Sequence, residues 1–279
     1  MMADEAKPEE LKAALAYLYK TYFGDQQIEK EEIGRLPELL AGCSLFVDIG
    51  ASLGMYTYFA NKILSGARIY AIEADPDRFA ELQQNCAKWE KEGLNQIKAV
   101  HAIAGDSRES ARFFKTGTHI SGGVFAISER ADDYNVVEVP QVMLDDFYDP
   151  DRKAVVKIDV EGAEYRVLKG GAKFLADVHA RFIVGIHSWG DRERGKTPMD
   201  LLRFLFSKQL NISKTSNHLT ANYLFDHTEN RRAALRWRYA KHAPLLFARQ
   251  VYRGVLPKPL IRYVERTLNR MRKRKIESS

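Results

Sequence analysis

The sequence predicts a doubly wound α/β fold, in which helices cover both faces of a mostly parallel sheet. Strand-like apolar runs alternate with segments of helical periodicity over residues 45–187, a pattern typical of parallel sheets. The first apolar run breaks into a glycine turn at Gly50. Acidic residues, including Glu73 and Asp159, close later runs, at the edge where open sheets of this class bind ligands.

The predicted elements follow this alternation from the N-terminus. Apolar residues at helical spacing predict two helices before the sheet, over residues 8–23 and 28–40. The sheet then begins with strand 45–49, helix 55–64, strand 68–73, helix 77–92 and strand 97–104. After an interruption it resumes with strand 154–160, helix 165–175, strand 181–187, helix 199–208 and closing strands within 213–225.

The interruption covers residues 108–142. Strands are predicted at 113–114 and 136–142, and the segment 116–123 between them is rich in Gly, Ser and Thr. Such a composition is typical of a loop. Because loops carried on a rigid scaffold often contact ligands, we expect this loop to border a substrate.

The turn after the first strand has the features of a cofactor site. Dinucleotide-binding turns use the pattern Gly-x-Gly-x-x-Gly, so that a pyrophosphate can approach a helix N-terminus. Here Ser52 replaces the middle glycine between Gly50 and Gly54, and the charge of Asp48 would repel a phosphate. That charge suits the cationic amino-acid end of S-adenosylmethionine (SAM). Glu73 lies 25 positions after Asp48, about where such a sheet places the acceptor for a ribose diol.

Two other interpretations of this turn stay open. The glycines could serve only to let a helix pack closely on a strand. An NAD-dependent oxidoreductase would also use a glycine turn and an acidic strand end, although Ser52 weakens this alternative.

A second group of polar residues follows the strand at 154–160. Asp159, Glu161 and Glu164 place three carboxylates within six residues, at the edge where open sheets bind ligands. Glu164 is also in position to start the next helix, where the helix dipole favours an acid. His187 ends the following strand, and we expect it beside Asp159 because neighbouring strand ends meet at one edge.

Three sequence blocks together resemble the FkbM family of SAM-dependent methyltransferases. They are residues 47–57, residues 144–147 (Leu-Asp-Asp-Phe) and residues 157–171, which include Lys-Ile-Asp-Val-Glu-Gly-Ala-Glu and a Gly-Gly pair. The resemblance covers residues 45–187. It implies a class I methyltransferase (Rossmann-like) fold, with a seven-stranded sheet whose last strand is antiparallel. It also implies O-methylation of hydroxyls, often on glycans or glycosylated lipids.

The resemblance further implies roles for individual residues. Glu73 would hold the ribose hydroxyls of SAM, Asp106 would lie near the adenine, and the methionyl part would be surrounded by Asp48, Gly50, Ala51 and Gly54. The family often has an acid before the strand-end histidine, where this chain has Gly185. The strand-end histidine of this chain therefore lacks that neighbouring acid, which affects its ability to act as a base.

A mechanism for hydroxyl methylation needs a base, because a sugar hydroxyl is a poor nucleophile. We expect His187 to be this base, Asp159 to orient it or to bind a substrate hydroxyl, and Glu161 to be a second acceptor. The carboxylates could instead hold a divalent cation such as Mg²⁺, which prefers oxygen ligands. Three acids on one short segment need not converge, so no metal site is assigned.

Charge is distributed unevenly along the chain. The net charge is +6, yet residues 231–275 contain 15 Lys or Arg and one acid, Glu265. The rest of the chain is therefore acidic overall. We expect three parts: N-terminal helices packed on the body (1–42), a methyltransferase domain (43–228) and a basic amphipathic extension (229–279).

The extension predicts a partner. Basic residues flank an apolar stripe at helical spacing, formed by Leu260, Ile261, Val264, Leu268 and Met271, and such a segment favours an anionic membrane surface. We expect residues 244–275 to adsorb there, within reach of a lipid-linked saccharide or glycolipid substrate. The stripe could instead dock on the body of the protein.

Two other functions are alternatives to methylation of a saccharide. An RNA methyltransferase would also use a basic tail, but no recognisable RNA-binding module accompanies the charge, so nucleic acid is disfavoured. A non-catalytic SAM-binding or membrane-scaffolding protein would show no turnover. With no signal peptide pattern and no bilayer-spanning apolar run, we expect a cytoplasmic protein, peripheral at the inner face of the membrane. The sequence does not predict an oligomeric state.

Overall fold

The computed structural model describes residues 33–115, 135–186, 198–214 and 222–227. Four predicted features lie outside these residues: the helix over residues 8–23, the loop 116–123, His187 and the extension 229–279. Most of the second predicted helix, over residues 28–40, also lies outside them, and its last part is the first described helix.

The described elements follow the predicted alternation. The helices are α1 (Leu36–Leu40), α2 (Met55–Ile63), α3 (Pro76–Glu92), α4 (Glu164–Lys169), α5 (Ala172–Ala176) and α6 (Pro198–Ser207). The strands are β1 (Leu45–Ile49), β2 (Arg68–Glu73), β3 (Gln96–His101), β4 (Ile103–Gly105), β5 (Ala111–Lys115), β6 (Asn135–Val139), β7 (Gln141–Met143), β8 (Ala154–Ile158), β9 (Arg181–Gly185), β10 (Asn211–Lys214) and β11 (Asn222–Asp226). A short 3₁₀ helix covers Leu144–Phe147. Within the described ranges, no helix has both the length and the apolar character needed to cross a bilayer.

The central sheet has the strand order β10-β11-β9-β8-β1-β2-β3. Neighbouring strands from β3 to β9 are parallel, while β11 runs antiparallel to both β9 and β10. The sheet is therefore mostly parallel, which confirms the predicted fold class. The chain continues from β1 to β2 on one side and later returns to β8 on the other. The carboxyl edge between β1 and β8 is thus the point where sheets of this class bind ligands.

Helices cover both faces of this sheet because its central strands are apolar on both sides. All residues of β1 and of β8 are buried. On one face Val47 and Val156 pack in the same core as α4, α5 and α6. On the other face Phe46 and Val155 pack with α1, α2 and α3. The fold is therefore doubly wound, as predicted.

The helix predicted over residues 165–175 is two helices, α4 and α5. The chain breaks at Gly170 and Gly171, where the α4–α5 corner packs tightly on neighbouring elements. A Cβ at Gly170 would overlap the backbone oxygen of Gly105, and one at Gly171 would lie 2.6 Å from Leu144 Cδ2. These contacts bring the corner against β4 and the 3₁₀ helix.

The predicted strands 97–104 and 136–142 are also divided. The first becomes β3 and β4, because β4 leaves the central sheet to pair with β7. Pro140 separates β6 from β7, since proline has no N–H group for a strand ladder. The strands β5 and β6 form an antiparallel ribbon, whose small core contains Ile103, Phe113 and Val139.

Candidate functional site

The turn after β1 is held from both sides. The backbone N–H groups of Gly50 and Ala51 both donate to the carbonyl oxygen of Ile72 in β2, at 2.9 Å. On the other side, the N–H of Asp159 donates to the carbonyl oxygen of Ile49 at 3.0 Å. Gly50 has a φ of +75°, and a Cβ there would overlap the backbone oxygen of Asp159. The turns after β1 and β8 are therefore in direct contact, which only glycine allows.

Gly54 ends this turn for a different reason. Its φ is +93°, and a Cβ there would lie 2.8 Å from both Leu82 Cδ1 and Trp89 Cζ3 in α3. Gly54 therefore lets α2 begin close to α3, and the packing interpretation of the glycines accounts for this position. It does not account for Gly50, whose close neighbour is the loop backbone of Asp159.

Glu73 ends β2 and faces the same turn. The residue is 8% exposed. Its Oε2 accepts from the N–H of Ser52 at 2.7 Å, and its Oε1 accepts from the N–H groups of Ala74 and Asp75 at 3.0 and 2.8 Å. Burial raises the pKa of this carboxyl, although the amides of Asp75 and Ser52 oppose the rise. Because a carboxylate oxygen can accept more than one hydrogen bond, Oε2 can still accept one from a ribose hydroxyl.

Asp48 is completely buried beside the turn. Its Oδ2 accepts from the backbone N–H and the hydroxyl of Thr57, at 3.1 and 2.8 Å. Its Oδ1 lies 3.4 Å from Nζ of Lys157. The carboxylate is therefore engaged by α2 and β8. Its predicted contact with the methionyl group stays a prediction, and the described contacts support a role in holding the start of α2.

The predicted adenine loop follows β4. The carboxylate of Asp106 accepts from Nζ of Lys169 at 3.3 Å, and Gly105 contacts Gly170 at the α4–α5 corner. Ala102, which leads into β4, donates its N–H to the backbone oxygen of Glu73 at 3.1 Å. The segment that carries Asp106 therefore starts beside the predicted ribose acceptor, which fits one cofactor lying across both.

The turn after β8 carries the predicted acids Asp159 and Glu161. Both residues are half-buried. Glu161 has a φ of +54°, a left-handed conformation that costs a non-glycine residue about 1–3 kcal/mol and persists only where its surroundings enforce it. The conformation of this turn is therefore imposed by the contacts around it.

Glu164 supplies some of those contacts from inside the protein. The residue is 2% exposed, and its Oε1 accepts from the N–H groups of Val160 and Gly162 at 3.2 and 3.1 Å. Burial raises the pKa of this carboxyl to about 8, although hydrogen bonds to backbone amides, led by that of Gly162, oppose the rise. Glu164 is also the first residue of α4, which confirms that it starts the helix.

The predicted base, His187, lies outside the described residues. Its strand β9 is parallel to β8, with Val184 opposite Ile158, so the carboxyl ends of the two strands lie at one edge. The proximity of His187 to Asp159 stays a prediction. Within the described ranges, no three His, Cys, Asp or Glu side chains are grouped as ligands for a metal ion.

In the described contacts, the side chains of residues 144–147 hold neighbouring elements together. Leu144 is fully buried. Asp145 accepts from the N–H groups of Lys173 and Phe174 at 3.0 and 3.3 Å, so it caps the start of α5. Asp146 accepts from the N–H of Met143 at 2.8 Å. This block therefore fixes the 3₁₀ helix against the α4–α5 corner.

Sequence reasoning missed Lys157. It lies opposite Asp48 in the pairing of β8 with β1 and is 4% exposed. The available signal was one charged residue inside an otherwise apolar strand, Ala-Val-Val-Lys-Ile. Charged side chains are almost never fully buried unless they are paired, so this residue required a partner.

The family model of the methyltransferase FkbM domain matches residues 48–223 of this chain. Among characterised proteins, the chain is similar to the hexuronic acid methyltransferase AglP of Haloferax volcanii. The two are 26% identical over 209 residues, which cover 74% of this chain and 80% of AglP.

Solved structures of methyltransferases are also similar to this chain. An FkbM methyltransferase from Methylobacillus flagellatus KT has a TM-score of 0.47 and 18% identity, covering 78% of this chain. The matched region spans 50% of that longer protein. An O-methyltransferase from Bacillus cereus was solved in complex with S-adenosylhomocysteine (SAH). It has a TM-score of 0.39 and 11% identity, and the match covers 81% of this chain and 90% of that one.

Proposed function

The chain belongs to the FkbM family of SAM-dependent methyltransferases, and from this premise we propose that its acceptor is a hydroxyl group of a saccharide, free or lipid-linked. The observation that carries the proposal is the contact between the turns after β1 and β8 at Gly50 and Asp159. In this contact the turn that carries Asp159 and Glu161 lies against the turn at residues 50–54, which we call the cofactor turn. A sugar bound by those carboxylates would then lie next to the methyl donor.

The similarity to AglP supports a saccharide acceptor. AglP is described as a hexuronic acid methyltransferase, and the match covers most of both chains. A hexuronic acid offers both hydroxyl groups and a carboxylate as methyl acceptors. We propose a hydroxyl because Asp159 and Glu161 would repel an acceptor carboxylate, whereas they can accept hydrogen bonds from hydroxyl groups.

We propose that the cofactor site is formed by the residues around the turn after β1. SAM supplies an electrophilic methyl group when it is bound. We propose that Glu73 accepts hydrogen bonds from its ribose hydroxyls, that Asp106 lies near its adenine, and that the methionyl part is bordered by Asp48, Gly50, Ala51 and Gly54. The buried carboxyl of Glu73 and the close approach of backbone at Gly50 support this fit.

The protein's main contribution to the reaction is orientation. Holding a hydroxyl in line with the donor methyl removes much of the entropic barrier of a bimolecular step. We propose that His187 takes the proton of that hydroxyl, that Asp159 orients His187 or the substrate, and that Glu161 is a second acceptor. Parallel β8 and β9 end at one edge, which supports this grouping.

Replacement of His187 tests the proposed base. Because a positioned general base contributes roughly 10²–10⁴-fold to the rate, His187→Ala should lower kcat by at least about a hundredfold while the affinity for SAH is unchanged. Turnover should be measured with labelled SAM, and SAH affinity by calorimetry. Unchanged turnover would remove His187 from the mechanism. Activity that survives exhaustive chelation would also remove the alternative of a carboxylate-bound cation.

The acceptor is tested with methyl-labelled SAM and a panel of saccharides. The panel contains neutral oligosaccharides, hexuronic acid-containing oligosaccharides and their lipid-linked forms, with structured RNA as the rival substrate. The expected product is a methyl ether on a sugar, which mild alkali does not cleave. Alkali-labile label would identify a methyl ester and contradict the hydroxyl acceptor, and label in RNA alone would contradict the saccharide. SAH binding without turnover on any acceptor would favour a non-catalytic SAM-binding protein.

A further inference from the structure

Lys157 is a buried cation beneath the cofactor turn. It lies in β8, opposite Asp48 of β1, and both residues are on the face of the sheet covered by α2. Its Nζ donates to the backbone oxygen of Gly50 at 3.0 Å and lies 3.4 Å from Oδ1 of Asp48. The same Nζ is 5.1 Å from the centre of the Tyr56 ring. Lys157 therefore contacts β1, the turn that follows β1, and α2.

The contact with Gly50 acts on a single peptide group. The carbonyl oxygen of Gly50 accepts from Lys157, and the N–H of the same peptide group, on Ala51, donates to the carbonyl oxygen of Ile72 at 2.9 Å. Because a peptide group is planar, these two bonds fix its orientation from opposite sides. One bond comes from β8 and the other from β2, the two strands that flank β1.

Charge pairing alone does not explain the presence of this lysine. A buried ion pair can often be replaced by apolar side chains of similar volume without loss of stability, because desolvation offsets the attraction between the charges. The neighbours of Lys157 in β8 are apolar, so an apolar residue would fit the pattern of the strand. A hydrogen bond to the Gly50 oxygen is the contact that an apolar side chain could not make.

We propose that Lys157 is a positioning residue for SAM, and that its ammonium group fixes the Gly50–Ala51 peptide in the orientation that receives the methionyl part. In this arrangement Asp48 acts mainly on Lys157 and on the start of α2, where Thr57 donates to it. The proposal rests on the cofactor site described above. It adds a residue that touches the turn and need not touch the acceptor.

Three variants separate positioning from charge balance. Lys157→Met leaves the buried carboxylate of Asp48 without its cation, so the melting temperature should fall. The double variant Asp48→Asn/Lys157→Met removes both charges and should regain most of that loss. Asp48→Asn alone is the reference for SAH affinity, because Asp48 is itself proposed to border the methionyl part. The double variant should bind SAH about tenfold more weakly than Asp48→Asn, since it also lacks the hydrogen bond from Lys157 to the Gly50 oxygen.

Lys62→Met is the matched control. Lys62 is in α2 and also lies near a carboxylate and a tyrosine ring. Its Nζ is 3.4 Å from Oε2 of Glu92 and 5.4 Å from the centre of the Tyr58 ring. These contacts of Lys62 do not involve the turn at residues 50–54. This variant should bind SAH with the affinity of the wild-type protein, measured by calorimetry.

The outcomes distinguish this proposal from the cofactor site itself. An SAH affinity of the double variant equal to that of Asp48→Asn would overturn the proposal and make Lys157 only the counter-ion of Asp48. Absence of SAH binding to the wild-type protein would instead contradict the cofactor site. If the variants do not fold, hydrogen exchange of the wild-type protein decides: slow exchange of the Lys157 ammonium protons without SAH supports their hydrogen bond to the Gly50 oxygen, and fast exchange contradicts it.

Discussion

Gly50 sets how closely the two loops of the site approach each other. It combines a φ of +75° with backbone contact to Asp159, so a side chain would have to displace the turn after β8. Because that turn carries Asp159 and Glu161, a change at Gly50 would move both the cofactor turn and the proposed acceptor carboxylates. At the scale of single residues, this contact joins the proposed cofactor site to the proposed acceptor site.

Gly50→Ala should abolish measurable SAH binding and lower the melting temperature. Its added Cβ cannot be accommodated without movement of backbone, whereas a left-handed alanine alone costs only about 1–2 kcal/mol. Gly66→Ala is the control, because Gly66 has a similar φ of +69° and nothing within 4 Å of a Cβ. Calorimetry with SAH and thermal unfolding should be measured on both variants. Equal losses in the two variants would show that backbone strain, and not the contact between the turns, is responsible.

The single residues of the site were predictable to different degrees. Glu73 follows from its place at the end of an apolar strand, and Gly50 from the break in the strand before it. The pairing of Asp48 with Lys157 was not predictable, because the two residues are 109 positions apart in sequence and only the pairing of β1 with β8 brings them opposite each other. Long-range strand register carries that information, and local patterns do not.

At the scale of elements, α4 joins the two halves of the proposed site. It begins at Glu164, which holds the turn of Asp159 and Glu161, and it ends at Lys169, which binds Asp106. The helix has only six residues. It therefore links the turn of the proposed acceptor carboxylates to the proposed adenine loop over a short distance.

The buried Glu164 predicts a dependence of stability on pH. Its pKa is raised to about 8 in the folded protein from an ordinary value of 4.5, so between these values the folded state holds a proton that the unfolded state has lost. The stability from this group is full below about pH 4.5 and is lost as the pH rises through about 8, by at most about 1.4 kcal/mol per pH unit. Glu164→Gln should remove this part of the slope.

Urea unfolding at several values between pH 5 and pH 8 measures this effect. The wild-type protein should lose stability relative to Glu164→Gln as the pH rises, because only the wild type keeps a proton in the folded state that its unfolded state releases. The glutamine retains an oxygen that can accept from the amides of Val160 and Gly162. Parallel stability profiles for the two proteins would contradict the buried, protonated state of Glu164.

The elements themselves were largely predictable. Strands β1, β2 and β8 read as apolar runs because helices cover both faces of the sheet. The errors fell where tertiary contacts divide a continuous pattern: Gly170 and Gly171 interrupt a helical run to pack on Gly105 and Leu144. The departure of β4 from the sheet was also unpredictable, since its partner β7 follows the ribbon of β5 and β6.

At the scale of the whole molecule, the strand order forms the edge that carries the proposed site, and the charge distribution of the sequence favours a location for the protein. The reversal of strand order at β1 opens the edge where Gly50, Glu73 and Asp159 meet. The extension 229–279 lies outside the described residues, and only its sequence indicates a role. We propose that residues 244–275 bring the domain to an anionic membrane surface, where lipid-linked saccharides are found.

Liposome sedimentation with the intact protein tests this proposal. Vesicles rich in anionic lipid should pellet the protein at low salt, and neutral phosphatidylcholine vesicles should not. Each basic residue near such a surface contributes about 1 kcal/mol, so the triple variant Arg262→Gln, Arg266→Gln and Arg270→Gln should weaken binding by about a hundredfold. Failure of the wild-type protein to pellet with anionic vesicles would exclude the membrane, and tight, steeply salt-dependent RNA binding would favour the nucleic-acid alternative.

Titration calorimetry with SAM and with SAH tests the central claim most directly, namely that the edge above β1 and β2 binds a methyl-donating nucleoside. The wild-type protein should bind both with one site per chain. Glu73→Gln, which keeps the shape of the side chain but removes its charge, should weaken both by about tenfold, the usual loss for a charge-assisted hydrogen bond. Folded wild-type protein that gives no heat with either compound, or a Glu73→Gln variant that binds both as tightly as the wild type, would contradict this account.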